Sequence, residues 1–129
     1  MKRVSLGVAA VTAALALAGG AATAHNTSLA TTIAIDGNTL FDADHFLFYG
    51  HLESSRANCL KGRTVKLLVE RGGETMALDT DRSSRKGAWA VISSFEAGDS
   101  NSRVKVTRKN IGPNGHHHVC KSDSAEIGG

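Results

Sequence analysis

What this chain lacks narrows its class before any motif is considered. After residue 24 no window shows the 3.6-residue apolar spacing of an amphipathic helix, which argues against helical bundles and alternating α/β folds. Beyond the first 18 residues no apolar run is long enough to cross a bilayer, so no membrane span is expected. There is no internal repeat, no G-x-S-x-G nucleophile motif and no complete EF-hand loop. A large excess of one charge is missing too. Twelve Asp and Glu face fifteen Lys and Arg, and two of those bases, Lys2 and Arg3, stand at the extreme N-terminus. Without them the balance is nearly neutral, which argues against nucleic acid as a partner. Proline occurs once, at Pro113, and cysteine twice, at Cys59 and Cys120.

The N-terminus carries the strongest positive signal. Lys2 and Arg3 precede an apolar run over 4–18, and Ala22-Thr23-Ala24 places small residues immediately before His25. A short cationic end, a brief apolar core and small residues at minus three and minus one read as a secretory signal peptide over 1–24. One domain is expected over 25–129, secreted and extracellular. In that oxidising setting an even pair of cysteines reads as one disulfide, Cys59 to Cys120, closing a loop of about 60 residues. The competing reading makes Cys120 a metal thiolate beside His116, His117 and His118, and requires Cys59 to stay free.

Apolar residues recur with period two, the signature of strands with one buried face. Leu29, Thr31, Ile33 and Ile35 share one side of a first strand, and Phe46, Phe48, Gly50 and Leu52 one side of a second. Val65, Leu67 and Val69 define a third, Met76 and Leu78 a fourth, Trp89 and Val91 a fifth, Val104 and Val106 a sixth. A short seventh surrounds Val119 and resumes after Ser122. Turns are expected at Asp36-Gly37-Asn38, at Gly72-Gly73 as a tight hairpin, over 82–87, over 97–101 and over 110–115. About seven short strands at this spacing predict an all-β fold, a single antiparallel β-sandwich of transthyretin-like or Ig-like type.

Particular residues carry a resemblance over roughly 46–120. Phe48-Tyr49-Gly50-His51-Leu52, then Cys59-Leu60-Lys61-Gly62-Arg63-Thr64-Val65, then Asp79-Thr80-Asp81 with Gly87-Ala88-Trp89, and finally Cys120, follow one another in order. The pattern resembles small exported bacterial proteins with a transthyretin-like or carboxypeptidase-regulatory-like sandwich domain. That resemblance implies a β-sandwich and a generally non-catalytic role. The chain departs from the pattern over 82–86, which lengthens the turn before Gly87, and over 97–101, which lacks the usual Gly-x-Tyr.

Two histidine groups suggest metal. Cleavage after Ala24 gives His25 both a free α-amine and an imidazole, a bidentate nitrogen chelate of the kind copper favours. His116-His117-His118 forms the second group; on a strand His116 and His118 share one face, and further ligands would have to come from His45, His51, Asp42 or Asp44. Asp42-Ala43-Asp44 and Asp79-Thr80-Asp81 read as turns rather than calcium loops. The expectation is a secreted, non-catalytic β-sandwich with a binding or structural role, its partner a macromolecule or a second copy. The alternative is an extracellular copper-binding protein using His25 with His116 and His118.

Overall fold

Alternation along the chain becomes ten strands in a computed structural model that describes residues 26–112 and 117–127. The first two are β1 (Asn26–Leu29) and β2 (Thr32–Asp42), followed by β3 (His45–Glu53), β4 (Thr64–Arg71) and β5 (Glu74–Arg82). Then come β6 (Ala88–Ile92), β7 (Ser100–Val106), β8 (Lys109–Ile111), β9 (His117–Cys120) and β10 (Asp123–Glu126). Among the described residues the only helical element is one 3₁₀ turn at Ala57–Cys59. The fold is all-β, as the period-two pattern predicts.

Seven strands form two antiparallel sheets, ordered β2-β3-β6 and β10-β7-β4-β5. Their facing sides make the core: Phe48 and Leu52 from β3, Trp89 and Val91 from β6, Val65 and Leu67 from β4, Val104 and Val106 from β7. These are the side chains whose alternation marked the strands. The remaining three strands form a small sheet, β1-β9-β8, in which β1 runs parallel to β9.

The two larger sheets are joined at both edges by aspartates. In β6, which pairs with β3 on one side, the outward amides of Ala90 and Ile92 donate to Asp81 Oδ2 at 2.8 Å and Asp79 Oδ2 at 2.7 Å. At the opposite seam Ile33 N of β2 donates to Asp123 Oδ2 of β10 at 3.0 Å. Carboxylates thus replace the missing backbone ladder, so edge donors that a sandwich would leave to water are satisfied within the chain. Asp79-Thr80-Asp81 is therefore not the turn its composition suggested. It lies within β5, where residues two apart share a side and aim both carboxylates at β6.

A second correction concerns Asp36-Gly37-Asn38, which lies inside the eleven-residue β2 and forms a bulge between Ile35 and Gly37. Gly37 stands opposite Tyr49, and a Cβ there would meet the tyrosine hydroxyl at 2.8 Å. Glycine marks a close approach here, not a reversal. The chain reverses later, at Ala43-Asp44. The expected first strand is also divided, since β1 ends at Leu29 and β2 starts at Thr32. Gly72-Gly73 does form the tight hairpin between β4 and β5, with φ of +63° and +85°.

The strand directions give the molecule two poles. At one, the Cys59–Cys120 disulfide joins the 3₁₀ turn to β9. Arg63 reinforces that pole: only 1% exposed, it donates through Nη1 to Thr31 Oγ1 (2.9 Å) and the Cys59 carbonyl (2.8 Å). Its Nη2 donates to the carbonyls of Thr107 (2.7 Å) and Lys121 (3.0 Å). One guanidinium thereby ties four loops. Burial lowers its pKa, yet a guanidinium stays charged. At the other pole lie the β2–β3 and β4–β5 hairpins and the loop 93–99.

Candidate functional site

At the hairpin pole β2 and β3 extend past the core, and the apolar residues that continue their alternation are left outside. Leu40, 63% exposed, lies opposite Phe46 in the register, Phe46 and Phe95 are exposed as well, and Phe41, 55% exposed, lies on the hairpin's other side. Such a cluster is unusual in a domain with only six aromatic residues. A cleft of about 440 Å³ opens here, walled by Phe46, Phe48, Phe95 and Ile127, with Asn38, Ser102, Glu96 and Asp99 adding polar atoms. Phe48 and Phe95 meet edge to face, with ring centroids 6.2 Å apart and an interplanar angle of 70°.

The loop that carries Phe95 is pinned at both ends. Ser93 exchanges two hydrogen bonds with Phe46: its amide donates to the Phe46 carbonyl (2.8 Å), and its hydroxyl accepts from Phe46 N (2.9 Å). Asp99, whose side chain is 6% exposed, receives Arg71 Nε at 2.7 Å and Nη2 at 2.8 Å, and also accepts the Glu96 amide at 2.8 Å. The Arg71 guanidinium, and after it the Glu96 amide, hold the Asp99 carboxyl at about 2, below its ordinary 3.8. Arg71 also reaches Glu96 at 3.4 Å. This wall is preformed, so a ligand entering the cleft meets little ordering cost.

A second cleft of about 270 Å³ lies on the other side of the hairpin, lined by Phe41, Leu78 and Ile92 with Asp42, His45 and Asp79. Here the Asp42-Ala43-Asp44 turn holds as expected. Asp42 Oδ1 accepts the Asp44 amide at 2.9 Å and lies 2.7 Å from His45 Nδ1, and those two contacts lower its pKa.

The residues singled out from the sequence fall elsewhere. Cys59 and Cys120 are bonded and fully buried, which removes Cys120 as a thiolate ligand. His25 and His116 lie outside the described residues, as does the expected leader over 1–24. His118 sits in β9 with Nδ1 enclosed and without a hydrogen-bond partner among the described residues. The parallel register sets Asn26 opposite His117 and Thr27 opposite His118. His45 pairs with Asp42. His51 places Nδ1 at 2.9 Å from Asp36 and Nε2 at 3.0 Å from Glu53, and both carboxylates raise its pKa, Asp36 most. Among the described residues no group of three or more His, Cys, Asp or Glu is arranged to hold a metal ion.

Sequence reasoning missed the aromatic cleft. Phe95 lies in a stretch with no strand pattern, and only the contact with Phe48 gives it meaning. Compared with protein-family models, curated proteins and solved structures, the chain matches none.

Proposed function

We propose that the protein is a secreted, non-catalytic β-sandwich module that binds a macromolecular partner by taking one of its apolar side chains into the cleft between Phe46, Phe48 and Phe95. The observation that carries this reading is the cleft itself: aromatic walls, a volume of about 440 Å³ and a loop braced by Arg71 and Asp99. Apolar walls with a few polar groups are the usual composition of ligand sites. The disulfide, the cationic N-terminus and the absence, among the described residues, of a helix able to cross a membrane support export. NMR titration of the isotope-labelled protein with N-acetyltryptophanamide tests the cleft. Saturable shifts at Asn38, Phe95 and Ser102 that vanish in Phe95→Ala are expected. Shifts spread evenly over the surface, or unchanged in that variant, sink the reading.

One observation favours a second reading, copper binding at the mature N-terminus. Asn26, which follows His25 in sequence, is paired with His117, which follows His116, and His118 Nδ1 in the same strand is enclosed without a partner among the described residues. Copper titration of protein beginning at His25, followed by electron paramagnetic resonance, is expected to show one nitrogen-ligated site that is lost on N-terminal acetylation and weakened in His118→Asn. Retention of that spectrum in both forms excludes these ligands.

A further inference from the structure

The fold gathers basic clusters that stand apart in the sequence. Segments 54–66, 82–86 and 105–109 together carry ten Lys and Arg and no Asp or Glu. The register brings all three to the disulfide pole: Thr64 lies opposite Arg82, Lys66 opposite Lys105, and Gly62 N donates to the Ser83 carbonyl at 2.9 Å. Among the described residues, Arg71 at the far pole is the only Lys or Arg within 4.0 Å of a carboxylate. Among the described residues, therefore, no Lys or Arg of these three segments has a carboxylate within 4.0 Å.

Within that pole two cationic heads converge on one point. A Cβ at Gly62 would find Arg82 Nη2 at 3.7 Å and Lys109 Nζ at 3.9 Å as its nearest neighbours. Gly62 has φ +64°, so the position suits glycine and the space between the heads is kept clear of side chain. The Lys109 head is held in place and not merely exposed. Lys109 Nζ donates to the Lys61 carbonyl at 3.0 Å and the Asn58 carbonyl at 3.4 Å, leaving one of its three ammonium protons for another acceptor. Behind them stands Arg63, buried, charged, bonded only to neutral oxygens, and with Nε lacking a partner among the described residues. Burial first, then the charges of Arg63, Lys61 and Arg82, press the Lys109 pKa downward. Repulsion of this kind is relieved by an anion.

We propose that Gly62, Arg82 and Lys109, backed by Arg63, form a binding site for a tetrahedral oxyanion, a phosphate or sulfate group. Both heads can reach separate oxygens of one such group in charge-assisted hydrogen bonds. The site is separate from the aromatic cleft, and a ligand that carries both an apolar group and an oxyanion need not span the two.

The test is an NMR titration with sodium sulfate and with inorganic phosphate, against sodium chloride at matched ionic strength. Saturable shifts at Gly62, Arg82 and Lys109 are expected with both oxyanions and not with chloride. Arg82→Gln with Lys109→Gln is expected to weaken binding roughly tenfold for each head removed, the effect of losing one charge-assisted bond. Lys66→Gln with Lys105→Gln removes the same charge elsewhere at the pole and is expected to leave the affinity within twofold. Equal weakening by the two double variants, or identical responses to sulfate and chloride, overturns the site. Should the first double variant fail to fold in chloride, Arg82→Gln alone, at an exposed position, reads the same effect. Vesicles distinguish the source of the group. Sedimentation with phosphatidylglycerol but not phosphatidylcholine, lost in Arg82→Gln/Lys109→Gln, assigns a lipid phosphate; soluble oxyanion binding without sedimentation assigns a free or monoester group.

Discussion

At the residue scale, two positions show how single side chains decide the packing. Gly50 in β3 lies beneath Trp89, and a Cβ there would collide with the Ala34 carbonyl oxygen and stand 2.6 Å from Trp89 Cζ2. The oxygen belongs to a paired strand and cannot move away. Gly50→Ala is therefore expected to cost about 3 kcal/mol, the upper part of the range for overpacking, read as a drop in the urea midpoint at unchanged m-value. An unchanged midpoint would mean that β2 and β3 separate freely at this point. Arg63 poses an opposite question, because replacing a buried charge by an apolar side chain can stabilise a protein by removing a desolvation cost. Here the acceptors are three backbone carbonyls and a threonine hydroxyl, which remain buried after the charge is gone. Unsatisfied acceptors outweigh the relief, so Arg63→Met is expected to lose about 3 kcal/mol. A gain in stability would show that water reaches those carbonyls.

At the element scale, the seams between sheets are the distinctive device. A sandwich with exposed edges invites pairing with other chains, and three aspartates here occupy donors that such pairing would use. Asp79→Ala and Asp81→Ala are each expected to cost about 1–2 kcal/mol, the penalty for losing an acceptor to an enclosed amide. Hydrogen exchange locates the effect. The Ile92 amide should exchange faster in Asp79→Ala and the Ala90 amide faster in Asp81→Ala, with the β4–β7 ladder unaffected. Faster exchange throughout both sheets in either variant would mean that the seam is part of the global folding unit.

At the scale of the whole molecule, the disulfide and the charge distribution govern stability. The bridge spans 61 positions, so chain entropy assigns it about 4 kcal/mol, a large share of what a domain of this size possesses. Cys59→Ala with Cys120→Ala is expected to lower unfolding free energy by that amount; a loss below about 1 kcal/mol would place the stabilisation of that pole on Arg63 instead. Acid acts at the other pole. Asp99 titrates at about 2 when folded against 3.8 ordinarily, so on acidification the unfolded chain takes up this proton first. The stabilisation from the Arg71–Asp99 pair is intact above about pH 4 and disappears as the pH falls through about 2. Thermal unfolding of Asp99→Asn should accordingly change less than that of the unmodified chain between pH 5 and pH 2. Equal slopes would mean that the pair contributes nothing to the pH dependence.

Sequence alone determined the strand class, most of the inward residues and the disulfide, because those are local or compositional properties; Phe46 and Met76, which share the alternation, lie exposed. Alternation at Val65-Leu67-Val69 and Val104-Val106 reports burial directly, and Gly72-Gly73 specifies its own turn. What alternation cannot report is which strand edge faces which, so the aspartates of β5 looked like a turn and the glycine of β2 like a reversal. Only tertiary structure decided that Asp79 and Asp81 meet the amides of β6, and that Arg63 lies among three carbonyls and a hydroxyl contributed by four loops. The same holds for the candidate sites. Phe46 and Phe95 are 49 positions apart, and Gly62, Arg82 and Lys109 come from the connection before β4, the end of β5 and the start of β8. The physical reason is common to all of these: each depends on a contact between groups distant in sequence, and only the folded register brings them together.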